Sequence, residues 1–171
     1  MACNILTGIE RGCNNNLGGI KKFYVIPFDY VTGTTETSGT LTAVALSGGT
    51  TMVEYEFNKN TSSFVEDGTI SLENGSTYYS TTSSLIIPRR ESVKRNSLAL
   101  LAAGQQNLFI IMQDANDLYW AQGWANGANL SAQGEGSGVV KADGTKYSLT
   151  FLSEEPEQMP EVDSSIIAGL L

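Results

Sequence analysis

Hydrophobic and polar residues alternate with a period of two along much of the chain, which is the spacing of side chains on one face of a β-strand. Two neighbouring segments show this alternation most clearly, TLTAVALS from Thr40 to Ser47 and TMVEYEFN from Thr51 to Asn58. The residues between them, GGT, are a turn signal. We therefore predict a hairpin in which Glu54 and Glu56 lie on a polar face, opposite the apolar side chains of the same strand.

A nearly continuous apolar run predicts where the core lies. The sequence NLFIIMQD, from Asn107 to Asp114, is followed by a polar turn and then by YWAQGW, so we predict a central hairpin that is buried on both faces. Another strand is predicted from Lys22 to Val31, where aromatic and β-branched residues are frequent. It should contain an irregularity at Pro27, because proline cannot donate a hydrogen bond within a sheet.

Turn signals divide the remaining strand-like segments. Asp67-Gly68 and Asn74-Gly75 predict turns, with a short strand from Ser63 to Glu66 before them and a long strand from Ser76 to Ile87 after them. A closing strand is predicted in KADGTKYSLTFLS, following a turn at Asp143-Gly144. The glycine-rich segment before this closing strand is expected to be a loop.

One segment, PRRESVKRNSLALLAAG, has the spacing of a helix. We predict a helix from Pro88 to Ala103, because proline is favoured in a first turn and Gly104 can end the helix. The first half of this segment is basic, although positive charge is unfavourable near a helix N-terminus. These cations are either a solvent-exposed face or, in our hypothesis, a surface that binds acidic groups of a neighbouring subunit. The four basic residues are Arg89, Arg90, Lys94 and Arg95.

The ends of the chain differ in composition from its middle. Residues 1–19 are rich in Asn and Gly, and residues 155–171 combine acidic residues and prolines with an apolar tip, so we predict an extended arm at each end of a β-domain spanning residues 20–154. Apolar side chains on extended arms need a neighbouring molecule to bury them. The candidate arm contacts between subunits are Ile5, Ile9, Ile166, Ile167, Leu170 and Leu171.

Composition narrows the classes of function. The chain of 171 residues has 10 basic and 18 acidic side chains and a net charge of −8, which disfavours a nucleic-acid binder. It has no histidine, the commonest general base and a common metal ligand. We therefore expect no enzymatic activity, no metal and no cofactor. Cys3 and Cys13 lack a zinc-ligand spacing, and they are either free thiols or a local disulfide.

The order of the predicted elements resembles that of the tail tube, or major tail, proteins of tailed bacteriophages. The resemblance rests on the strand TYYSTTSSLII leading into the helix SVKRNSLALLAAG, then NLFIIMQD, the hairpin NDLYWAQGWANG and the closing strand GTKYSLTFLSEEP. It covers the chain from Val53 to Pro156. The opening sequence MACNILTGIERGCNNNLGGIKKFYV is also similar to virion proteins of phages that infect Bacteroidetes hosts.

The resemblance implies a β-sandwich or half-barrel with one flanking helix, six copies of which close into a ring. Such rings stack into a tube that conducts the genome, held together by arms or by a loop such as residues 58–74. The expected partners are further copies of the chain, other tail proteins at the tube ends, and DNA in transit. Glu54 and Glu56 are candidates for an acidic lumen along which DNA slides. The protein is then expected in the virion tail, assembled in the host cytoplasm without export or membrane anchoring.

Two other functions remain open at this point. A capsid decoration or auxiliary head protein is also small, rich in β-structure and equipped with arms, but it binds an existing lattice. A carbohydrate-binding β-sandwich is the alternative from another class, with Tyr119, Trp120 and Trp124 as its stacking platform. Autonomous polymerisation distinguishes the tube protein from both alternatives.

Overall fold

The computed structural model of the chain describes residues 8–9 and 16–171, and within them the fold is mainly β, as predicted. The paired strands form one large, branched sheet. Cys3, Ile5 and Cys13 of the predicted N-terminal arm lie outside the described residues.

The described residues form eleven strands and two α-helices. The strands are β1 (Ile20–Pro27), β2 (Val31–Thr37), β3 (Thr40–Leu46), β4 (Val53–Glu54), β5 (Ser63–Ser71), β6 (Ser76–Pro88), β7 (Leu108–Asp114), β8 (Tyr119–Gln122), β9 (Ala128–Gly136), β10 (Lys146–Glu155) and β11 (Glu161–Val162). The helices are α1 (Ser92–Gly104) and α2 (Ser164–Leu170). The order of paired strands is β2-β3-β11-β8-β7-β9-β10-β6-β5, and β1 pairs with β7 and β4.

The antiparallel strands β1 and β7 form the centre of the fold, and their side chains are buried on both faces. Along β7, Leu108, Ile110 and Met112 belong to one apolar cluster, whereas Phe109 and Ile111 belong to a second. β8 pairs with β7 after a short turn. The predicted central hairpin is therefore confirmed, and its uninterrupted apolar run has a simple cause, since both faces of the strand are covered.

The first cluster lies between two layers of the folded sheet. Phe23 of β1 meets Phe151 of β10 with ring centroids 5.4 Å apart, and Leu85 of β6 and Leu149 of β10 are fully buried beside them. Two sheet layers that pack through their inner faces make a sandwich-like arrangement. Each such buried side chain contributes about 1.5–3 kcal/mol to the stability of the fold.

The chain passes from one layer to the other through a tight corner between β8 and β9. Gly123 has φ +73°, and a Cβ there would lie 2.5 Å from the backbone nitrogen of Ala128, so the corner requires glycine. Glu155, buried at the end of β10, accepts hydrogen bonds from the backbone N–H of Asn126 at 3.1 and 3.3 Å. Burial raises the pKa of Glu155 to about 7, and hydrogen bonds from the Asn126 and Ala125 backbones act in the opposite direction.

The C-terminal segment folds back onto its own domain, which corrects the prediction of an extended arm. β11 pairs with both β3 and β8, and α2 then packs against the second cluster. Ile167 and Leu170 are buried there, and the backbone N–H of Met52 donates to the carbonyl of Leu170 at 2.8 Å. The two apolar residues are three positions apart, so a helix places them on one side, where their own domain offers an apolar surface.

The predicted hairpin of residues 40–47 and 51–58 is wrong in its pairing. β3 pairs with β2 and β11, whereas the following segment pairs with β1 as the short strand β4. The second segment has the predicted faces only in part. Tyr55 and Phe57 pack on the first cluster while Glu54 and Glu56 are exposed, but Val53, predicted on the apolar face, is 59% exposed. Alternation determines which face of a strand is buried, but it does not determine which strand pairs with it.

Two segments predicted as a turn and a loop are strands. Asp67 and Gly68 lie inside β5, opposite Ser80 and Tyr79 of β6, and the hairpin turn occurs later, near Gly75. The absence of a side chain at Gly68 leaves room for the Tyr79 ring, which would lie 3.1 Å from a Cβ there. The glycine-rich segment before the closing strand forms β9, which pairs with β10.

The predicted helix is present but begins four residues late. Pro88 is the last residue of β6, where it is paired with Lys146 of β10, and Arg89 then takes a left-handed conformation with φ +64°. Glu91 is the N-cap, and α1 runs from there to Gly104. Strand pairing therefore outweighs the preference of proline for a first helical turn.

Candidate assembly interface

The outer edge of β5 has no partner strand within the described residues. β5 pairs with β6 along all nine of its residues without a register shift, and it ends the path of paired strands. Such a regular edge presents backbone N–H and C=O groups that can pair with another chain. Val65 and Ile70 on this strand are 55% and 68% exposed. We call this strand edge the β5 edge.

The opposite end of the strand path is the outer edge of β2, here called the β2 edge. β2 has seven residues, each partly or fully exposed, and its pairing with β3 shifts register between Val31 and Gly33 and between Thr35 and Glu36. Register shifts of this kind bend a strand and increase its twist. The two edges differ in length and shape, so pairing between them would join copies of the chain head to tail.

The hairpin of β5 and β6 continues beyond the end of β10. The last residue of β10, Glu155, is paired with Tyr79, and residues 69–78 of the hairpin lie past this point. Ile70 lies in this extension, and Leu72 in its turn is 93% exposed. The β5 edge therefore ends in an apolar projection that the domain itself does not cover.

The predicted basic surface already has acidic partners within the chain. Glu91 pairs with Arg89 at 2.9 Å and with Lys94 at 3.5 Å, and Glu135 of β9 pairs with Arg90 at 2.9 Å. These pairs are partly exposed, and pairs of that kind contribute about 0–1 kcal/mol each. Acidic residues of the same chain thus neutralise much of the positive charge that we expected to pair with a neighbouring subunit.

Arg95 belongs to a part of α1 that contacts little of the domain. Among the described residues it makes no ion pair, and Val93 and Leu100 on the same helix are each 75% exposed. Only Leu98 of α1 is fully buried. A groove of about 420 Å³ separates this helix from residues 54–58.

The apolar residues predicted to join subunits have different environments. Ile5 lies outside the described residues, and Ile9 is fully exposed. Ile166 is half-buried against the second cluster, and Leu171 is 47% exposed. As described above, Ile167 and Leu170 are buried in their own domain.

Glu54 and Glu56, the candidates for an acidic lumen, are both exposed. Lys22 lies 3.8 Å from the Glu54 carboxylate and offsets part of its charge. Both acidic residues border the groove beside α1.

The three aromatic residues of the carbohydrate alternative do not form a common platform. Tyr119 and Trp120 are neighbours on β8, so their side chains pack against opposite clusters. The Trp120 indole N–H donates to the Asp114 carboxylate at 3.2 Å. Trp124, in the corner between β8 and β9, packs on the same cluster as Tyr119 and not on that of Trp120.

The β5 edge is hard to predict from the sequence, because Asp67-Gly68 is a common turn pair. The signal that indicates it is the run of strand-forming residues on both sides of this pair, from Phe64 and Val65 to Ile70.

Comparisons with known proteins give no family assignment. The chain matches no family model, no curated protein and no solved structure. Across residues 8–9 and 16–171, no group of three histidine, cysteine, aspartate or glutamate residues is arranged to hold a metal ion. The helices described here are too short or too polar to cross a membrane.

Proposed function

We propose that this protein is a structural component of a phage virion that assembles into stacked hexameric rings forming the tail tube. The observation that supports this function best is that both ends of the strand path are unpaired within residues 16–171, and that the β5 edge is regular over nine residues. The order of elements that resembles tail tube proteins supports the same proposal.

Pairing of the β5 edge with the β2 edge of the next copy gives a head-to-tail contact. Such a contact closes into a ring when a whole number of equal rotations between neighbouring copies adds up to a full turn. Closure removes both exposed edges. Each backbone hydrogen bond formed stabilises the contact between copies by about 0.5–1.5 kcal/mol. Burial of Val65 and Ile70 stabilises the contact further. No catalytic group is required.

The charge of the chain suits a conduit for DNA. A net charge of −8 per copy makes a ring of six strongly negative, and like charges keep DNA from binding to the wall. Glu54 and Glu56 are exposed and remain our candidates for lumen-facing residues. DNA would then pass through without a specific site.

The β5 edge can be tested by placing positive charge on it. We expect Val65→Lys combined with Ile70→Lys to weaken assembly at least about tenfold, because lysine on an edge strand opposes pairing with another strand. Sedimentation velocity over a range of protein concentrations measures the change. Thermal unfolding of the variant monomer checks that the fold is retained.

The matched control is Leu100→Lys, which makes the same kind of change at an exposed residue of α1, away from both edges. We expect this variant to assemble like the unmodified protein. Normal assembly of the β5 variant, or loss of assembly only in the α1 variant, would contradict the role of the β5 edge.

A further inference from the structure

A cleft of about 390 Å³ lies beside the corner between β8 and β9, and Glu36 of β2 is one of its lining residues. Tyr79 of β6 and Trp124 of the corner contribute aromatic side chains to it. The other walls are the end of the β2–β3 hairpin and the segment from Pro156 to Pro160. The size lies within the range of about 300–1,000 Å³ that is usual for small-molecule sites. We call this site the Trp124 cleft.

The aromatic residues of the Trp124 cleft are held by the surrounding backbone. Trp124 directly follows Gly123, whose positive φ fixes the corner, and Glu155 holds the next two residues through their backbone N–H groups. The Tyr79 ring packs over Gly68 on the neighbouring strand. The cleft is therefore formed before any ligand arrives, which reduces the entropy lost on binding.

Backbone hydrogen bonds also fix the wall formed by the C-terminal segment. The N–H of Met159 donates to the Glu66 carboxylate at 2.6 Å, and the N–H of Ala121 donates to the carbonyl of Pro160 at 3.1 Å. The N–H of Glu161 donates to the carbonyl of Gly39 at 3.0 Å, which ties this segment to the β2–β3 turn.

The indole N–H of Trp124 is buried and has no hydrogen-bond partner among the described residues. The part of the ring that faces the cleft is therefore carbon, which suits stacking. Unpaired buried polar groups are uncommon in folded proteins and require an explanation. The Trp124 ring also packs against the second cluster, which holds it in position beside the cleft.

The polar residues around the two rings suit a ligand with many hydroxyl groups. Glu36 and Glu157 offer carboxylate acceptors, whereas Thr77 and Gln158 can both donate and accept hydrogen bonds. Among the described residues no lysine or arginine lines the cleft, so the charged side chains that an anionic ligand would meet there are the carboxylates of Glu36 and Glu157. Sugars carry apolar C–H faces that pack on aromatic rings and hydroxyl groups that hydrogen-bond to the surrounding side chains.

We propose that the Trp124 cleft binds a neutral carbohydrate, stacked on Tyr79 and Trp124 and hydrogen-bonded to the carboxylates and the amide around them. Of the aromatic platform predicted from the sequence, this site includes Trp124, whereas Tyr119 and Trp120 do not line it. Binding at this site does not require ring assembly, although Glu36 of the cleft lies on β2 and is therefore close to the β2 edge.

The test is native electrophoresis of the full chain in gels containing a soluble neutral polysaccharide. Dextran, mixed-linkage β-glucan and galactomannan are the probes, and polygalacturonate is the anionic comparison. We expect retardation by at least one neutral polymer and none by polygalacturonate. Titration of a Trp120→Phe variant with oligosaccharides of the retarding polymer should change the fluorescence of Trp124, the remaining tryptophan.

A pair of neighbouring tyrosines provides the matched control. Tyr79 lines the cleft, whereas Tyr78 points to the other face of β6 and is 42% exposed. We expect Tyr79→Ala to weaken binding about tenfold and Tyr78→Ala to leave it unchanged. Gln158→Ala, at an exposed position, tests the polar contacts without disturbing the core.

The proposal is overturned if none of the neutral polymers retards the protein, or if polygalacturonate binds more tightly than they do. It is also overturned if a retained ligand binds Tyr79→Ala and Gln158→Ala as tightly as the unmodified protein, since the site would then lie elsewhere. If Tyr78→Ala and Tyr79→Ala weaken ligand binding equally, the proposal is overturned as well, because Tyr78 does not line the cleft.

Discussion

Among single residues, Glu155 has the clearest consequence for the behaviour of the protein in solution. Its carboxyl is buried at the corner between the two sheet layers, and burial raises its pKa from an ordinary value of 4.5 to about 7. Between these two pH values the folded state keeps a proton that the unfolded state has lost. The contribution of Glu155 to the free energy of unfolding is therefore complete at low pH and falls as the pH rises towards 7.

We predict that the free energy of unfolding falls by about 2 kcal/mol between about pH 5 and pH 8 because of Glu155. Glu155→Gln should remove this decrease, since glutamine stays neutral while its side-chain oxygen can still accept from the Asn126 backbone. Urea unfolding at a series of pH values measures the effect.

The neighbouring Glu154 is exposed, so Glu154→Gln is the matched control and should keep the pH dependence of the unmodified protein. An unchanged pH dependence in Glu155→Gln would show that the buried carboxyl is ionised throughout this range.

The backbone conformation of particular residues is the feature of the fold that is hardest to predict from the sequence. Gly123 needs its positive φ because of the corner, and nothing in the sequence around it distinguishes a corner from an ordinary turn. Arg89 has a positive φ although it is not glycine, because β6 stays paired as far as Pro88. Both conformations are consequences of tertiary pairing.

At the scale of elements, α2 changes the interpretation of the C-terminal sequence. The tip IIAGLL was expected to contact a neighbour, but in the structure it covers the second cluster of its own domain. β11 also joins β3 to β8, so the segment links the β2–β3 hairpin to the rest of the sheet.

We predict that Ile167→Ala and Leu170→Ala each lower the free energy of unfolding by about 2–4 kcal/mol, because each leaves a cavity in the second cluster. Leu171→Ala, at a residue that is 47% exposed, should change it by less than about 0.5 kcal/mol. Denaturant unfolding of the three variants provides the comparison. Equal, small effects in all three would mean that α2 does not pack on its own domain in solution.

Strands with an unambiguous pattern were predicted well. The apolar run of β7 and the long strand β6, which precedes the helix, follow from hydrophobic pattern and turn chemistry. The partner of β4 and the length of β5 did not follow, because alternation gives the buried face of a strand without its neighbour. Asp67-Gly68, a common turn pair, was outweighed by continued pairing with β6.

At the scale of the whole molecule, the described residues form a well-packed centre, with an unpaired strand edge among them at each end of the strand path. The mainly β fold was predictable from the sequence because the alternation is extensive and the turns are frequent. The β5 edge, which carries the assembly proposal, emerges only from the pairing of the strands. The basic segment before and within α1 was visible in the sequence, yet its acidic partners Glu91 and Glu135 required the structure.

The most direct test of the account is negative-stain electron microscopy of the purified protein at rising concentration. We expect rings with a central pore and six-fold symmetry, which stack into tubes as the concentration increases. Persistent monomers, or compact trimers without a pore, would contradict it.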